Sequence, residues 1–186
     1  VAAVPQTPWQ RVTNPRPPVE VLTEEQIGMI HDTSMRVLEE VGMRVDCPKT
    51  RDLLKSHGNR VDEEKTHVWF DRKFVEERVA MAPSTFRIHT RNPDRYLDYG
   101  GNNIIFASVG GPAFVNDLDN GRRPGTLAEF QDGIRILQSL NACHFMNNGI
   151  FACMDQPADK RHLDTLFTCF TLMDKGLGAS VLGRTR

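Results

Sequence analysis

Ile104-Ile105-Phe106-Ala107-Ser108-Val109 runs straight into Gly110-Gly111-Pro112. An almost unbroken apolar run closed by turn residues marks a strand buried on both faces, and a helix-covered parallel sheet is where such strands occur. The sequence that follows repeats the theme. Phe114 to Asp117, a turn at Asn120-Gly121 and Arg122-Arg123 read as a hairpin excursion. Thr126-Leu127-Ala128-Glu129 is a capping box, and it opens a helix with Phe130, Ile134, Leu137 and Leu140 on one stripe. Cys143 to Cys153 contains a second buried strand, interrupted by Asn147-Asn148-Gly149. Pro157 suits the start of another helix, whose Leu163, Leu166, Phe167, Phe170 and Met173 run up to Asp174-Lys175-Gly176. Gly178 to Gly183 reads as a third buried strand. Strand, helix, strand, helix, strand is the grammar of an α/β fold with a parallel sheet. Three such strands leave an open edge, so either the chain is part of a longer polypeptide or another chain supplies the remaining strands.

Upstream the pattern differs. Residues 1–22 carry Pro5, Pro8, Pro15, Pro17 and Pro18, which exclude helix and central strand and give an extended arm. Trp9 and Val19 to Leu22 supply that arm with apolar handles, and no partner for it is evident within the sequence. Thr23-Glu24-Glu25-Gln26 is a capping box, with Ile27, Ile30, Val37, Leu38 and Val41 at helical spacing until Gly42. Further helices are expected near 48–57 and 71–81, with short extended pieces at 43–45 and 66–69. The Thr85 to Thr90 stretch alternates as a half-exposed strand, Asn92-Pro93-Asp94 turns, and Arg95 to Tyr99 returns antiparallel. The expected organisation is a proline-rich arm at 1–22, a small α+β region at 23–99, and a first βαβαβ segment at 100–186.

Composition removes several classes of function. Lys and Arg total 23 against 24 Asp and Glu, and neither half of the chain is basic. A nucleic-acid partner is therefore not expected, and Arg87, Arg91 and Arg95 read as a solvated face. No stretch approaches the roughly 18 apolar residues of a membrane span, so no membrane partner is expected and the cytoplasm is the expected location. Cys47, Cys143, Cys153 and Cys169 have no metal-ligand or redox spacing and read as reduced, mostly buried thiols, with no metal bound directly.

Several stretches leave two readings open. Gly110-Gly111-Pro112 suits either a close backbone approach to a ligand or a simple tight turn, and it matches no phosphate-binding loop. Asp117-Leu118-Asp119-Asn120-Gly121 has glycine at the fifth position of a calcium loop and Ala128 at the twelfth, so a hairpin turn explains it. Ser108 lies outside any nucleophile elbow. Asn147 and Asn148 break an apolar strand, where a buried amide needs either a ligand or a structural network. Asp155 either caps the following helix or takes part in chemistry.

The order of these features resembles one known family. Leu22-Thr23-Glu24-Glu25-Gln26-Ile27 with Ile30-His31, Val37-Leu38-Glu39-Glu40-Val41-Gly42 and Ala82-Pro83 come first, followed by the Phe86 to Arg91 strand. Gly110-Gly111-Pro112, Gly121-Arg122-Arg123-Pro124 with Thr126, Asp155-Gln156-Pro157 and Asp174-Lys175 follow. Together they resemble the N-terminal part of the trimethylamine methyltransferase family, over essentially the whole chain. The resemblance implies the N-terminal part of a TIM (β/α)8 barrel, preceded by a small α+β region. It further implies methyl transfer from a tertiary or quaternary amine, such as trimethylamine or glycine betaine, to a corrinoid carried by a partner protein. A homo-oligomer is the expected assembly. Barrel sites lie at the C-terminal ends of strands, which singles out Ser108, Gly110, Gly111, Asn147, Asn148 and Asp155 as substrate-binding candidates, with Phe106 and Phe151 as aromatic walls. No residue here has a claim as acid, base or nucleophile. The competing readings are a non-catalytic partial-barrel binding or assembly subunit and a zinc-dependent methyl transfer, the latter weakened by the absent ligand spacing.

Overall fold

Thr23 begins the first helix as its sequence dictates. Its hydroxyl accepts the Gln26 N–H at 3.2 Å while Gln26 Oε1 accepts the Thr23 N–H at 2.9 Å, so two otherwise orphaned donors are satisfied. The computed structural model describes residues 4–17, 19–147 and 149–179. It divides into two compact units, Pro17–Ser84 and Val1–Arg16 with Thr85–Arg186.

In the Pro17–Ser84 unit, helix α1 (Glu24–Arg36) continues as a π-helical turn, Val37–Val41, and stops at Gly42. A Cβ on Gly42 would collide with the Val68 carbonyl, and its φ of 71° lies in the left-handed region, so glycine is required there. Strand β2 (Met43–Arg44), helix α2 (Pro48–Ser56), strands β3 (Arg60–Asp62) and β4 (His67–Trp69) and helix α3 (Arg72–Ala80) complete it. The sheet is antiparallel in the order β2-β4-β3, with Val68 fully buried. Arg51, buried, clamps the turn after β2 by donating to Val45 O at 2.8 Å and Asp46 O at 3.0 Å and by pairing with Glu63 at 2.7 Å.

In the other unit, β1 (Val12–Thr13) pairs antiparallel with β7 (Asn103–Ile104), and β5 (Phe86–Ile88) with β6 (Leu97–Tyr99). Strands β8 (Phe114–Asp117) and β9 (Gly121–Pro124) form the expected hairpin, its turn held by Asp117 Oδ1 accepting from the Asn120 N–H at 2.7 Å. Helix α4 (Leu127–Ser139) opens on its capping box. Strand β10 (Phe145–Met146), helix α5 (Arg161–Leu172) and strand β11 (Gly176–Leu177) follow. Ala107 bridges Phe145 in parallel, and β10 pairs parallel with β11, so the three extended segments run parallel with the second in the middle. The architecture is a mixed α/β one of helices and small sheets. Phe130, Ile134, Met146, Cys153, Cys169 and Met173 make its core. No helix among the described residues is long and apolar enough to cross a membrane.

Several expectations are corrected. The Ile104–Val109 run is not buried on both faces: Phe106 is 52% and Val109 82% exposed. Its hydrogen bonds are split, β7 facing the arm and Ala107 facing Phe145, and Ile104, Phe106, Ala107 and Val109 are all exposed. The second strand shrinks to β10, and the third begins at Gly176, two residues earlier than expected, while residues 180–183 lie outside the described residues. The arm finds its partner within the chain: besides β1, Gln6 Oε1 accepts the Asn141 N–H at 2.7 Å and Trp9 meets the His144 ring edge-on at 5.9 Å. Arg87, Arg91 and Arg95 are not a free solvated face, since they bind Asp98, the Phe170 carbonyl and Asp174 respectively. On α5, Leu163, Phe167 and Phe170 are exposed, and Thr168 and Cys169 are buried instead. The inward face is rotated from the most apolar stripe. Of the cysteines, Cys153 and Cys169 are buried, and Cys47 is exposed.

The N-terminal ends of the parallel segments are closed by polar ties. Lys175, 4% exposed, donates from Nζ to the Leu137 and Leu140 carbonyls at 2.6 Å each, capping the C-terminus of α4. Asp174 accepts from Gln138 Nε2 at 2.8 Å and from Arg95 Nη1 at 3.1 Å, while its own N–H donates to Gln138 Oε1 at 3.1 Å. His144, 3% exposed, accepts the Phe106 N–H at Nδ1, 3.2 Å away.

Candidate functional site

Strand register sorts the candidate residues onto two sides. Ala107, Phe145 and Gly176 stand opposite one another, as do Met146 and Leu177 one residue on. Met146 faces α5, its Sδ 3.9 Å from Cys169 Sγ. Asn147 and Val109, one and two residues past paired positions, therefore lie on the side away from α5, and both are exposed. The Asn147 amide is thus not the buried group expected. Its backbone is held instead: Ser108 Oγ accepts the Asn147 N–H at 3.3 Å, and the Ser108 N–H donates to Phe145 O at 3.0 Å. Gly110 passes close beside the same segment. A Cβ there would collide with the Asn147 carbonyl and lie 2.8 Å from that of Gly149. Ser108, Gly110 and Asn147 thus form one packed strand end. Asn148 lies outside the described residues.

Two candidates go elsewhere. Phe106 turns toward the N-terminal end, where its ring packs 5.6 Å from that of His144. Asp155 caps a helix, but the preceding one rather than the next: its Oδ1 accepts the Leu127 N–H at 3.0 Å in the first turn of α4. The cause is the parallel bridge between Gly125 and Cys153, which brings the loop after β10 beside the start of α4.

Between these strand ends and α5 lies a cavity of about 280 Å³. Gly111, Gly149 and Gly178 contribute backbone without side chains to its wall, so it borders the strand ends directly. Phe130 and Phe151, with rings at 84° and 5.6 Å apart, form an aromatic corner beside Met146. Opposite them α5 presents Arg161, His162 and Thr165. The Thr165 hydroxyl is spent on the Arg161 and His162 carbonyls, at 3.0 and 3.1 Å. Arg161 Nη2 donates to Gln156 O at 3.1 Å, but its Nε and both ring nitrogens of His162 are buried with no partner among the described residues. Burial pushes the Cys169 thiol up to about 12 and that of Cys153 up to about 11, so both are protonated at neutral pH and unreactive. The arrangement can enclose and orient a small molecule, and it pairs no acid with a base. Among the described residues no three His, Cys, Asp or Glu side chains converge to hold a metal.

Of the residues singled out in the sequence, Gly111 and Phe151 reach this cavity. Phe130, Arg161 and His162 were missed. Phe130 was hidden in an ordinary apolar stripe. Arg161 and His162 would have emerged had α5 been read with Thr165 and Cys169 inward, a face less apolar than its neighbour.

The profile of the family described as trimethylamine methyltransferase (MTTB) matches residues 1–186. The chain is 30% identical over 170 residues to a glycine betaine methyltransferase of Desulfitobacterium hafniense (strain Y51), covering 91% of this chain and 35% of that protein. It is 23% identical over 158 residues to a proline betaine:corrinoid methyltransferase of Eubacterium limosum, covering 83% and 32%. Against a trimethylamine methyltransferase of Desulfitobacterium hafniense (strain DSM 10664 / DCB-2) it is 28% identical over 88 residues, covering 47% and 18%. The chain spans about a third of the length of the first of these relatives.

Proposed function

The chain belongs to the trimethylamine methyltransferase family, and from that premise we propose that it is the first part of a TIM (β/α)8 barrel transferring a methyl group from a tertiary or quaternary amine to the corrinoid of a partner protein. The observation that carries this reading is the parallel strand–helix succession of Ala107, β10 and β11, whose C-terminal ends surround an aromatic-walled cavity. Barrel enzymes assemble their sites at that end. A quaternary ammonium offers no N–H, so its recognition depends on aromatic faces and dipoles, each cation-aromatic contact contributing roughly 0.5 to 2 kcal/mol. Phe151 meets that need with the buried Phe130 packed edge-to-face behind it, and the Ser108–Asn147 bond with the Gly110 contact fixes the strand ends beside them. Corrinoid cobalt supplies the nucleophile, and the chain's own residues position the amine and exclude water. The exposed Leu163, Phe167 and Phe170 of α5 support further barrel elements or a second subunit packing there. The same reading makes the protein a cytoplasmic homo-oligomer.

The test mixes the purified full-length protein with a reduced corrinoid protein and trimethylamine, glycine betaine, carnitine or proline betaine, following the corrinoid absorbance. Methylation with one amine and not the others identifies the donor. No change with any of them overturns the function and leaves the fold untouched.

A further inference from the structure

Gly125 is buried, and its φ lies outside the left-handed region, so its own backbone would accept a side chain. What excludes one is the ring of Phe151. A Cβ on Gly125 would stand 2.5 Å from Phe151 Cδ2, 2.6 Å from Cε2 and 3.0 Å from Val115 Cγ1. The missing side chain is thus a socket, and the ring seated in it belongs to a residue that lines the cavity beside α5. Gly125 itself does not line that cavity. We propose that Gly125 is a positioning residue: by seating Phe151 it sets the width of the amine site, and the pair determines how bulky an alkylated ammonium is accepted. This rests on the reading of the cavity as the amine site.

Neither partner has room to yield elsewhere. The Gly125 carbonyl accepts the Met154 N–H at 2.8 Å, and Gly125 bridges Cys153 in parallel. Two residues before it, Arg123 is tied to Asp117 at 2.6 Å and to Glu129, and one residue after it Thr126 caps α4. The Gly121-Arg122-Arg123-Pro124 stretch and its Thr126 therefore hold the glycine still. The chain at Phe151 is held as well, since the Ala152 N–H donates to Pro112 O at 3.0 Å. Beside the ring stands Phe130, fully buried, its ring edge-on at 5.6 Å, and a packed core side chain has little slack. A methyl group in the socket leaves the Phe151 ring one way to move, into the cavity. In a volume of about 280 Å³ that advance removes space which an alkyl branch would occupy. A single methylene in an apolar pocket changes discrimination by roughly 10- to 200-fold, so a small movement of this wall is read out as specificity.

The test uses the full-length protein in the corrinoid assay, with tetramethylammonium and the larger tetraethylammonium as competitors of the donor amine. Gly125→Ala is expected to raise the inhibition constant of tetraethylammonium at least roughly tenfold more than that of tetramethylammonium. Adding Phe151→Leu to that variant removes the colliding ring and should return the ratio of the two constants toward its wild-type value. Phe151→Leu alone should shift the ratio the other way, in favour of the larger ion, and it carries the comparison should Gly125→Ala not fold. A glycine that served packing alone would lower turnover and both affinities together and leave the ratio where it was. A ratio within about twofold of the wild type in the folded variants overturns the proposal, because a moved wall must discriminate by size. Failure of both ions to compete with an amine that is turned over also overturns it. A wild-type protein that demethylates no amine overturns the proposed function, and this proposal falls with it.

Discussion

The two ends of the parallel segments differ in how most of their buried polar groups are met, although Trp9 Nε1, beside His144 at the N-terminal end, is itself unpartnered among the described residues. At the N-terminal end, Lys175 meets two helix carbonyls, Asp174 meets Gln138 and Arg95, and His144 accepts from Phe106. At the C-terminal end, Arg161 Nε and both His162 nitrogens are buried with no partner among the described residues, while Asn147 and Val109 are exposed. Burying a polar atom unpaired costs about 1 to 3 kcal/mol, so the second arrangement is retained against stability. The first end ties elements together, and the second is where the proposed function places the amine. That division matches barrel enzymes, where one face carries stability and the other chemistry.

Removing a tie at the closed end should produce the largest effect. Lys175→Met keeps the length and apolar stem of the side chain but takes the ammonium from the Leu137 and Leu140 carbonyls, leaving each only its backbone donor, the Leu140 and the Cys143 N–H respectively. Each lost bond involves a charged donor, and together they should cost about 3 kcal/mol, read as a lower denaturation midpoint in urea at unchanged slope. A variant as stable as the wild type would show that the α4 terminus is satisfied some other way, and the contrast between the ends would collapse.

Next in size is a change at the packed strand end. Gly110→Ala places a methyl group against the Asn147 carbonyl, a backbone atom that cannot swing aside. Overpacking of this kind costs about 1 to 3 kcal/mol. Because the strain falls on the Ser108–Asn147 contact, the proposed methyl transfer, measured on the full-length protein, should drop further than stability does. Equal losses in thermal midpoint and in turnover would mean that the glycine serves packing alone.

Elements with a strong local code were legible from sequence. Thr23 with Gln26 and Thr126 with Glu129 form their capping boxes, the Asp117–Gly121 turn forms its hairpin, and the strand–helix alternation after Gly100 predicts the parallel order. What escaped depends on long-range partners. The Ile104–Val109 run looks like one strand, yet its hydrogen bonds go to the arm on one part and to Phe145 on another, a split no local pattern encodes. Asp155 reads in sequence as either a cap of the following helix or a chemical group, and that it caps the preceding helix is set by the Gly125–Cys153 bridge. Of the site, the strand-end glycines and Phe151 stood out because turns and aromatics are visible. Arg161 and His162 did not, since an Arg-His pair in a first helical turn is ordinary until the cavity beside it is seen.

The His144 contact gives the closed end a pH dependence. Burial, and after it the Lys175 ammonium, hold the His144 imidazole below its ordinary range, so it is neutral when folded. The unfolded chain takes up the proton first, near pH 6.5, and the stability His144 lends is present above that value and lost as the pH falls. Protonation also turns the acceptor at Nδ1 into a donor facing the Phe106 N–H, removing a bond of about 1 kcal/mol. The thermal midpoint should therefore decline from pH 7 to pH 5, and Trp9 fluorescence, followed in a Trp69→Phe background, should shift with it. His144→Gln, whose amide oxygen can accept from Phe106, should flatten that decline. An equally steep decline in the variant would place the titrating group elsewhere.

The smallest effect should come from the open end, and its smallness is the point. His162→Leu removes two buried nitrogens that make no hydrogen bond with the described residues. Where a polar group is unpaired, replacing it by an apolar one of similar size forfeits nothing and relieves a desolvation cost. In the absence of ligand the change in stability should stay within about 0.5 kcal/mol of zero or be slightly favourable, in contrast to Lys175→Met on the same denaturation curve. Functional residues are commonly kept at some expense of stability, so a more stable but less competent variant is the expected combination. A loss of several kcal/mol would show that His162 braces the fold as Lys175 does, and the two ends would then differ in sequence but not in kind.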